Sequence, residues 1–189
     1  MKETSKTQTL VLAALMLALA LVLPFLTGQI PQVGSMLLPM HLPVLLCGLL
    51  CGWPYGIAVG FTAPLLRYVL FGMPPLLPTG IAMCFELAVY GGVSGFLYSR
   101  SPWKCLLSLY RALLGAMASG RIMWGLVQLA LTKLLTGHTF SWQLFFSGAF
   151  LTAIPGIALQ LVLIPALMLA LGRTGMIHFS RDRKVHPNA

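Results

Sequence analysis

Apolar runs, separated by short stretches rich in proline, glycine or basic residues, occupy most of the 189-residue chain. A helix needs about 20 apolar residues to cross a bilayer, so a chain of this length has room for several crossings and their turns. The pattern predicts six transmembrane helices, over residues 9–25, 37–51, 55–71, 79–98, 103–135 and 144–171.

Helix-breaking residues mark the ends and kinks of these runs. The triplet at residues 52–54 predicts a tight turn, and the stretch 72–78, where four of seven residues are proline or glycine, predicts a loop. The fifth run is too long for one perpendicular crossing, so we expect its first turns to lie at the membrane interface. Pro155 and Pro165 predict kinks in the sixth run.

The composition turns this pattern into a fold class. Hydrophobic residues make up 58% of the chain, charged residues only 8%, and the mean hydropathy is +0.90. Soluble domains carry about 25% charged residues, so a soluble domain, a soluble enzyme and a nucleotide-binding fold are excluded. We expect an all-α membrane protein, a single six-helix transmembrane domain over residues 1–189 with a short basic tail over 173–189.

The basic residues lie on one side of the predicted bundle. Loops rich in lysine and arginine stay on the cytoplasmic side of a membrane, and only Lys133 falls on the opposite side. Both termini are therefore predicted to be cytoplasmic, in the plasma membrane, of bacterial type. The cytoplasmic positions are Lys2, Lys6, Arg100, Lys104, Arg111, Arg173, Arg181, Arg183 and Lys184.

This topology also accounts for the formal charge of +9. A nucleic-acid partner is not needed to explain it, and we interpret the basic tail as an anchor on anionic lipid. A signal peptide is an alternative interpretation of the first run. No small-residue cleavage site follows that run cleanly, however, and many more apolar runs come after it.

Three ionisable residues remain at membrane depth: Arg67, Glu86 and Arg121. Such residues are costly in lipid and are candidates for function. One interpretation is a structural Arg–Glu pair with the second arginine extending outward. The other starts from the charges, because two cations against one anion leave an unmatched cation. That excess favours a pocket for a polar or anionic solute.

Polar companions share helix faces with these charges. Arg121, Trp124 and Gln128 are spaced to lie on one face of the fifth run, and Glu86 and Tyr90 on one face of the fourth. Hydrogen bonds between helices are the alternative explanation for the amides. We expect a substrate-binding site formed by Arg67, Glu86, Tyr90, Arg121, Trp124, Gln128 and Gln160.

The first outer loop is polar but uncharged, and we expect it to act as a gating loop above that site. Its candidate residues are Gln29, Gln32, Ser35 and His41. For His41, packing at the start of a helix is the alternative. Small residues recur every four positions and predict close helix packing; they are Gly52, Gly56 and Gly60, then Gly91 and Gly95, then Ala116 and Gly120, and in the first run Ala14 and Ala18.

Several chemistries are excluded or weakened by the sequence. There is no G-x-x-x-x-G-K-[ST] loop, so the chain cannot hydrolyse ATP, and a single membrane carboxylate makes a proton relay or sodium site weak. Cys47 and Cys51 lie one turn apart among leucine and glycine, which indicates packing rather than a metal site. We expect no cofactor and no metal.

An intramembrane protease is a further alternative, because residues 92–95 match the G-x-S-G of rhomboid proteases, which also have six helices. A serine nucleophile needs a base within reach. The later histidines lie in a predicted loop and in the tail, and Ser94 falls near the cytoplasmic end. Helix packing explains Ser94 better, and we expect no catalytic residue and no enzymatic activity.

Taken together, these features resemble the substrate-binding S component of an energy-coupling factor (ECF) vitamin transporter. The resemblance covers nearly the whole chain. It rests on the small six-helix chain, the A-x-x-x-A within residues 12–20, the first loop running into residues 40–48, and the glycine-rich third helix.

The resemblance implies a high-affinity binder of a vitamin or related micronutrient, with its site near the extracellular side under the first loop and the loop between helices three and four. It implies a membrane coupling protein (EcfT) and two cytoplasmic ATPases as partners, and toppling in the membrane to release the cargo. Ala14 and Ala18 would dock on the coupling protein. The alternatives are a stand-alone secondary transporter or channel for a small polar solute, or a membrane scaffold.

Overall fold

The computed structural model describes residues 6–26, 37–102, 105–136 and 154–173. Every regular element within these ranges is a helix, which confirms the all-α prediction. In chain order they are α1 (Lys6–Leu26), α2 (His41–Cys51), α3 (Trp53–Phe71), a π-type turn (Leu76–Gly80), α4 (Ile81–Arg100), α5 (Leu106–Thr136) and α6 (Ile154–Arg173).

Among the described residues, five helical spans are long and apolar enough to cross a membrane: α1, α3, α4 with the preceding π-type turn, α5 and α6. The α2 helix is apolar but has only 11 residues. At 1.5 Å per residue it reaches about 16 Å, roughly half of a hydrocarbon core. Six crossings therefore stay a prediction. The predicted start of the sixth run, over 144–153, lies outside the described residues.

The start of α2 is later than the apolar run suggested. The helix begins at His41, whose backbone N–H donates to the carbonyl of Leu38 at 3.1 Å, and Leu38 itself has a φ of 50°. Pro43 lies in the first turn of α2, where a missing N–H breaks no helical hydrogen bond. The result is a short buried helix with a polar residue, His41, at its N-terminal end.

The turn between α2 and α3 is tighter than predicted. It consists of Gly52 alone, with a φ of 94°, a conformation that glycine adopts without steric cost. Trp53 and Pro54 already belong to α3, and a proline at the beginning of a helix is favourable. The predicted loop over 72–78 is irregular as far as Leu77, because that residue has extended backbone angles (φ −113°, ψ 134°) within the π-type turn.

The α4 helix lies at the centre of the described bundle and packs on α2, α3 and α5. Glycine backbones make its contact with α3 close. A Cβ atom on Gly56 would collide with the carbonyl of Gly91, and one on Gly91 with the carbonyl of Gly56. The predicted packing faces on these two helices are therefore in contact, and any side chain on the buried face of α4 is surrounded by other helices.

The α1 and α6 helices lie on the flanks of this centre. The α1 helix packs on α2 and α3, while α6 packs on α5 and α2. Only one stripe of α1, which includes Ala13, Met16 and Ala20, is buried in the chain. The rest of its surface is available to lipid or to another protein.

Candidate functional site

The site is built around Glu86 and Tyr90, which lie one turn apart on α4. Both side chains are buried, Glu86 at 2% exposed and Tyr90 at 0%. Gly120 of α5 makes room for the aromatic ring, because a Cβ atom there would collide with the ring of Tyr90. The sequence pattern treated Gly120 as part of a packing face only. In the structure it also seats one of the predicted site residues.

Glu86 forms an ion pair with Arg121, as one of the two sequence interpretations expected. The Nη1 atom of Arg121 lies 3.1 Å from Oε1 of Glu86, and both side chains are buried. Two opposite charges on neighbouring helices offset part of the cost of removing each from water. The pair therefore joins α4 to α5 at the buried face.

His41 completes this group from α2. Its Nε2 atom lies 3.5 Å from Oε1 of Glu86, and its ring packs edge-on against that of Tyr90 at 4.9 Å between centroids. The sequence offered two interpretations of His41, as a gating residue or as packing at a helix start. The structure combines a helix-start position with a place beside Glu86. The only sequence signal for this was a polar side chain opening an apolar run.

Gln160 brings α6 to the same end of the bundle. Its Nε2 atom donates to the carbonyl of Leu38 at 3.4 Å. That same carbonyl accepts the backbone N–H of His41, so the buried amide lies beside the start of α2. The sequence alternative was a hydrogen bond between helices; the observed bond joins α6 to the residue Leu38, which precedes α2. The amide oxygen of Gln160 has no hydrogen-bond partner.

Buried polar atoms without hydrogen-bond partners collect in this region. Oε1 of Glu86 is within ion-pair distance of two bases, yet it too lacks a well-directed hydrogen bond. Each such atom costs about 1–3 kcal/mol when it stays unpaired. The described helices therefore leave several polar groups of this region without a partner. They are Nδ1 and Nε2 of His41, Oε1 of Glu86, the hydroxyl of Tyr90, Nε and Nη2 of Arg121, and Oε1 of Gln160; Oε1 of Gln128, further along α5, is also without one.

Arg67 is buried but does not join this group. Its Nη1 atom donates to the carbonyl of Leu21 in α1 at 2.9 Å. Its guanidinium lies over the rings of Phe25 and Phe71, at 5.3 and 5.7 Å from their centroids. Glu86, the only carboxylate among the described residues, has its ion pairs with Arg121 and His41. Arg67 therefore joins α3 to α1, and its role in substrate binding stays a prediction.

The other predicted site residues lie further along α5 or outside the described residues. Trp124 and Gln128 follow Arg121 on α5 and are half-buried. Three residues of the predicted gating loop, Gln29, Gln32 and Ser35, lie outside the described residues. Ser94 is buried and its hydroxyl donates to the carbonyl of Gly91 in its own helix at 3.2 Å, as the packing interpretation expected.

The two alanines predicted to dock on a partner face outward. Ala14 and Ala18 are exposed on α1, and they lie beside the buried stripe that holds α1 on the bundle. No other described part of the chain covers them. This surface of small residues is available to a neighbouring helix, or to lipid.

Comparison with known families decides what kind of protein carries this site. A family model for the substrate-specific component of ECF transporters matches residues 8–168. The chain belongs to this family. Comparisons with curated proteins and with solved structures gave no match. The match covers nearly all of the described helices and confirms the resemblance inferred from the sequence.

Membership of the ECF family indicates in what kind of protein the buried group lies. The chain is a multi-pass membrane protein with a substrate-binding role in transport. The family is one of transporter components rather than of enzymes.

Proposed function

We propose that this chain is the high-affinity, membrane-embedded S component of an ECF transporter that imports a vitamin or related micronutrient. In this proposal the substrate binds among His41, Glu86, Tyr90, Arg121 and Gln160, which we call the polar cluster. Six crossings with both termini in the cytoplasm, in a bacterial plasma membrane, belong to the same proposal.

The observation that carries the proposal is the set of unpartnered buried atoms in the polar cluster. Residues whose only task is to hold helices together satisfy their hydrogen-bonding groups on one another. Here donors and acceptors from α2, α4, α5 and α6 stay unpaired. A polar compound of small size would pair several of them at once, which supports a binding site over a structural network.

The predicted orientation supports uptake from outside the cell. If the N-terminus is cytoplasmic, α2, α4 and α6 begin at the outer surface. His41 opens α2, while Glu86 and Gln160 lie in the second turns of α4 and α6. The polar cluster is then reached from the outer side, below the predicted gating loop.

Energy for import would come from other chains. The sequence has no phosphate-binding loop, so we propose that two cytoplasmic ATPases drive uptake through the membrane coupling protein. The exposed pair Ala14 and Ala18 on α1 is the proposed docking surface for that protein. Close approach of a partner helix is what small residues in a membrane helix permit.

The direct test is to identify what the purified protein carries. Small molecules released from wild-type protein by denaturation are compared, by mass spectrometry, with those released from an Arg121→Ala variant purified in the same way. We expect one compound of vitamin type to be enriched with the wild type and strongly reduced with the variant. The same compounds in equal amounts from both proteins would contradict a site at the polar cluster.

A further inference from the structure

The guanidinium of Arg121 has one edge in use and one edge open. Glu86 lies at its Nη1 atom, while Nε and Nη2 are buried and form no well-directed hydrogen bond, although the hydroxyl of Tyr90 interacts with the same guanidinium. The N–H bonds of Nε and Nη2 point in the same direction from one edge of the planar group. Such a fork fits two acceptor atoms that lie side by side in one plane.

The polar cluster has no net charge, because its fixed charges are those of the Arg121–Glu86 ion pair. The charges of Arg121 and Glu86 cancel one another, and Tyr90 and Gln160 carry no fixed charge. Arg67, which would have supplied a second cation, is bound to the carbonyl of Leu21 and to two phenylalanine rings. Burial of one more charge in such a place is costly unless another charge balances it.

An added carboxylate would meet a second difficulty. If it bound at Nε and Nη2, it would share one guanidinium with the carboxylate of Glu86. The two negative charges would then lie close together and repel one another. Beside Arg121, the polar cluster holds no second fixed positive charge that could balance such a carboxylate, since Arg67 is bound elsewhere.

We propose that the substrate is electrically neutral and presents two adjacent acceptors to Nε and Nη2 of Arg121. A carbonyl oxygen beside an unprotonated ring nitrogen has this shape, and arginine binds such an edge with two parallel hydrogen bonds in other settings. The inference rests on the proposed function, since it names the class of compound that the same site takes. Of the polar or anionic solute that the sequence charges favoured, it keeps the polar one and excludes the anionic one.

Glu86 is a positioning residue in this proposal. It holds the guanidinium by Nη1, and its negative charge balances that of Arg121. The hydroxyl of Tyr90 and the Oε1 atom of Gln160 are buried and unpartnered. The hydroxyl of Tyr90 can donate or accept one hydrogen bond with the same neutral compound. The amide oxygen of Gln160 can accept one from it.

The test compares neutral and anionic forms of one compound. The compound released from the purified protein is identified, then titrated back beside its analogue with one carboxylate more or fewer. Cytosine and 5-carboxycytosine, which share a carbonyl oxygen beside a ring nitrogen and differ by one carboxylate, serve as the fixed probes. Dissociation constants are measured by calorimetry on wild type, Glu86→Gln and Glu86→Asp, with a melting curve for each to show that it is folded.

The expected result is a preference of at least about tenfold for the neutral member in wild type. Glu86→Gln gives the polar cluster one net positive charge, so the preference should reverse. Glu86→Asp keeps the charge while it changes the shape, so the preference should keep its direction. A merely structural role for Glu86 would lower the affinity of both members equally.

Two kinds of failure are distinguishable. A released compound that is an anion at neutral pH, or tighter binding of the anionic member by wild type, overturns the neutral-substrate inference and leaves the proposed function standing. A folded protein that releases no compound and binds none of the probes contradicts the proposed function, and the inference falls with it.

Discussion

Glu86 is the residue on which the polar cluster depends. Its single carboxylate lies within ion-pair distance of His41 from α2 and Arg121 from α5. Removal of one member of a buried ion pair costs about 3–5 kcal/mol, because the other charge is left unpaired. Variants that keep the size of the side chain, such as Glu86→Gln, are therefore more informative than truncations at this position.

Loss of the open guanidinium edge should weaken substrate binding. We expect Arg121→Ala to raise the dissociation constant of the released compound at least about tenfold, or roughly 1.4 kcal/mol. Arg111→Ala is the matched control, since Arg111 lies on the same helix but is exposed. The measurement is calorimetric titration of both variants, after a melting curve confirms that each is folded. Wild-type affinity in a folded Arg121→Ala protein would place the substrate elsewhere.

The sequence singled out the buried ionisable residues of the candidate site, but it did not predict which residues they contact. The cost of charge in lipid was enough to single out Glu86 and Arg121. Charge alone does not say which helix a buried arginine faces, and Arg67 found its partners in a backbone carbonyl and two aromatic rings of α1 and α3. His41 was ambiguous for a similar reason, because a helix start is compatible with many surroundings.

At the scale of elements, the helices followed the apolar runs closely except where one residue decides a boundary. Gly52 alone separates α2 from α3, and the irregular stretch before His41 shortens α2 to 11 residues. Hydropathy does not carry this information, because the residues on both sides of the boundary are equally apolar. The glycine-lined contact of α3 with α4 was predictable, since small residues at every fourth position allow close approach.

The outward face of α1 should bind the coupling protein. We expect Ala14→Leu with Ala18→Leu to abolish co-purification of the coupling protein, because the added bulk keeps a partner helix at a distance. Binding of the substrate should survive, since α1 contributes no residue to the polar cluster. Ala166→Leu with Ala170→Leu is the matched control, because these alanines are also exposed and one turn apart, on α6.

Two outcomes of that comparison would count against the proposed docking surface. One is wild-type co-purification by the α1 double variant. The other is equal loss with the α6 double variant, which would show that bulk on any outer face disrupts the complex.

At the scale of the whole molecule, the orientation determines whether the polar cluster is reached from outside. After replacement of the native cysteines, we expect Met73→Cys to react with a membrane-impermeant thiol reagent in intact cells. Pro102→Cys should react only after the cells are permeabilised. Both positions are exposed, one following α3 and the other following α4. Reaction at position 102 in intact cells would reverse the predicted topology.

The central claim is that this chain binds the substrate while other chains supply the energy. The measurement that tests it most directly is uptake of the released compound by cells that express the chain alone, or together with the coupling protein and both ATPases. The account predicts binding in both cases and accumulation only when all partners are present. Accumulation by cells that express this chain without those partners would contradict the account.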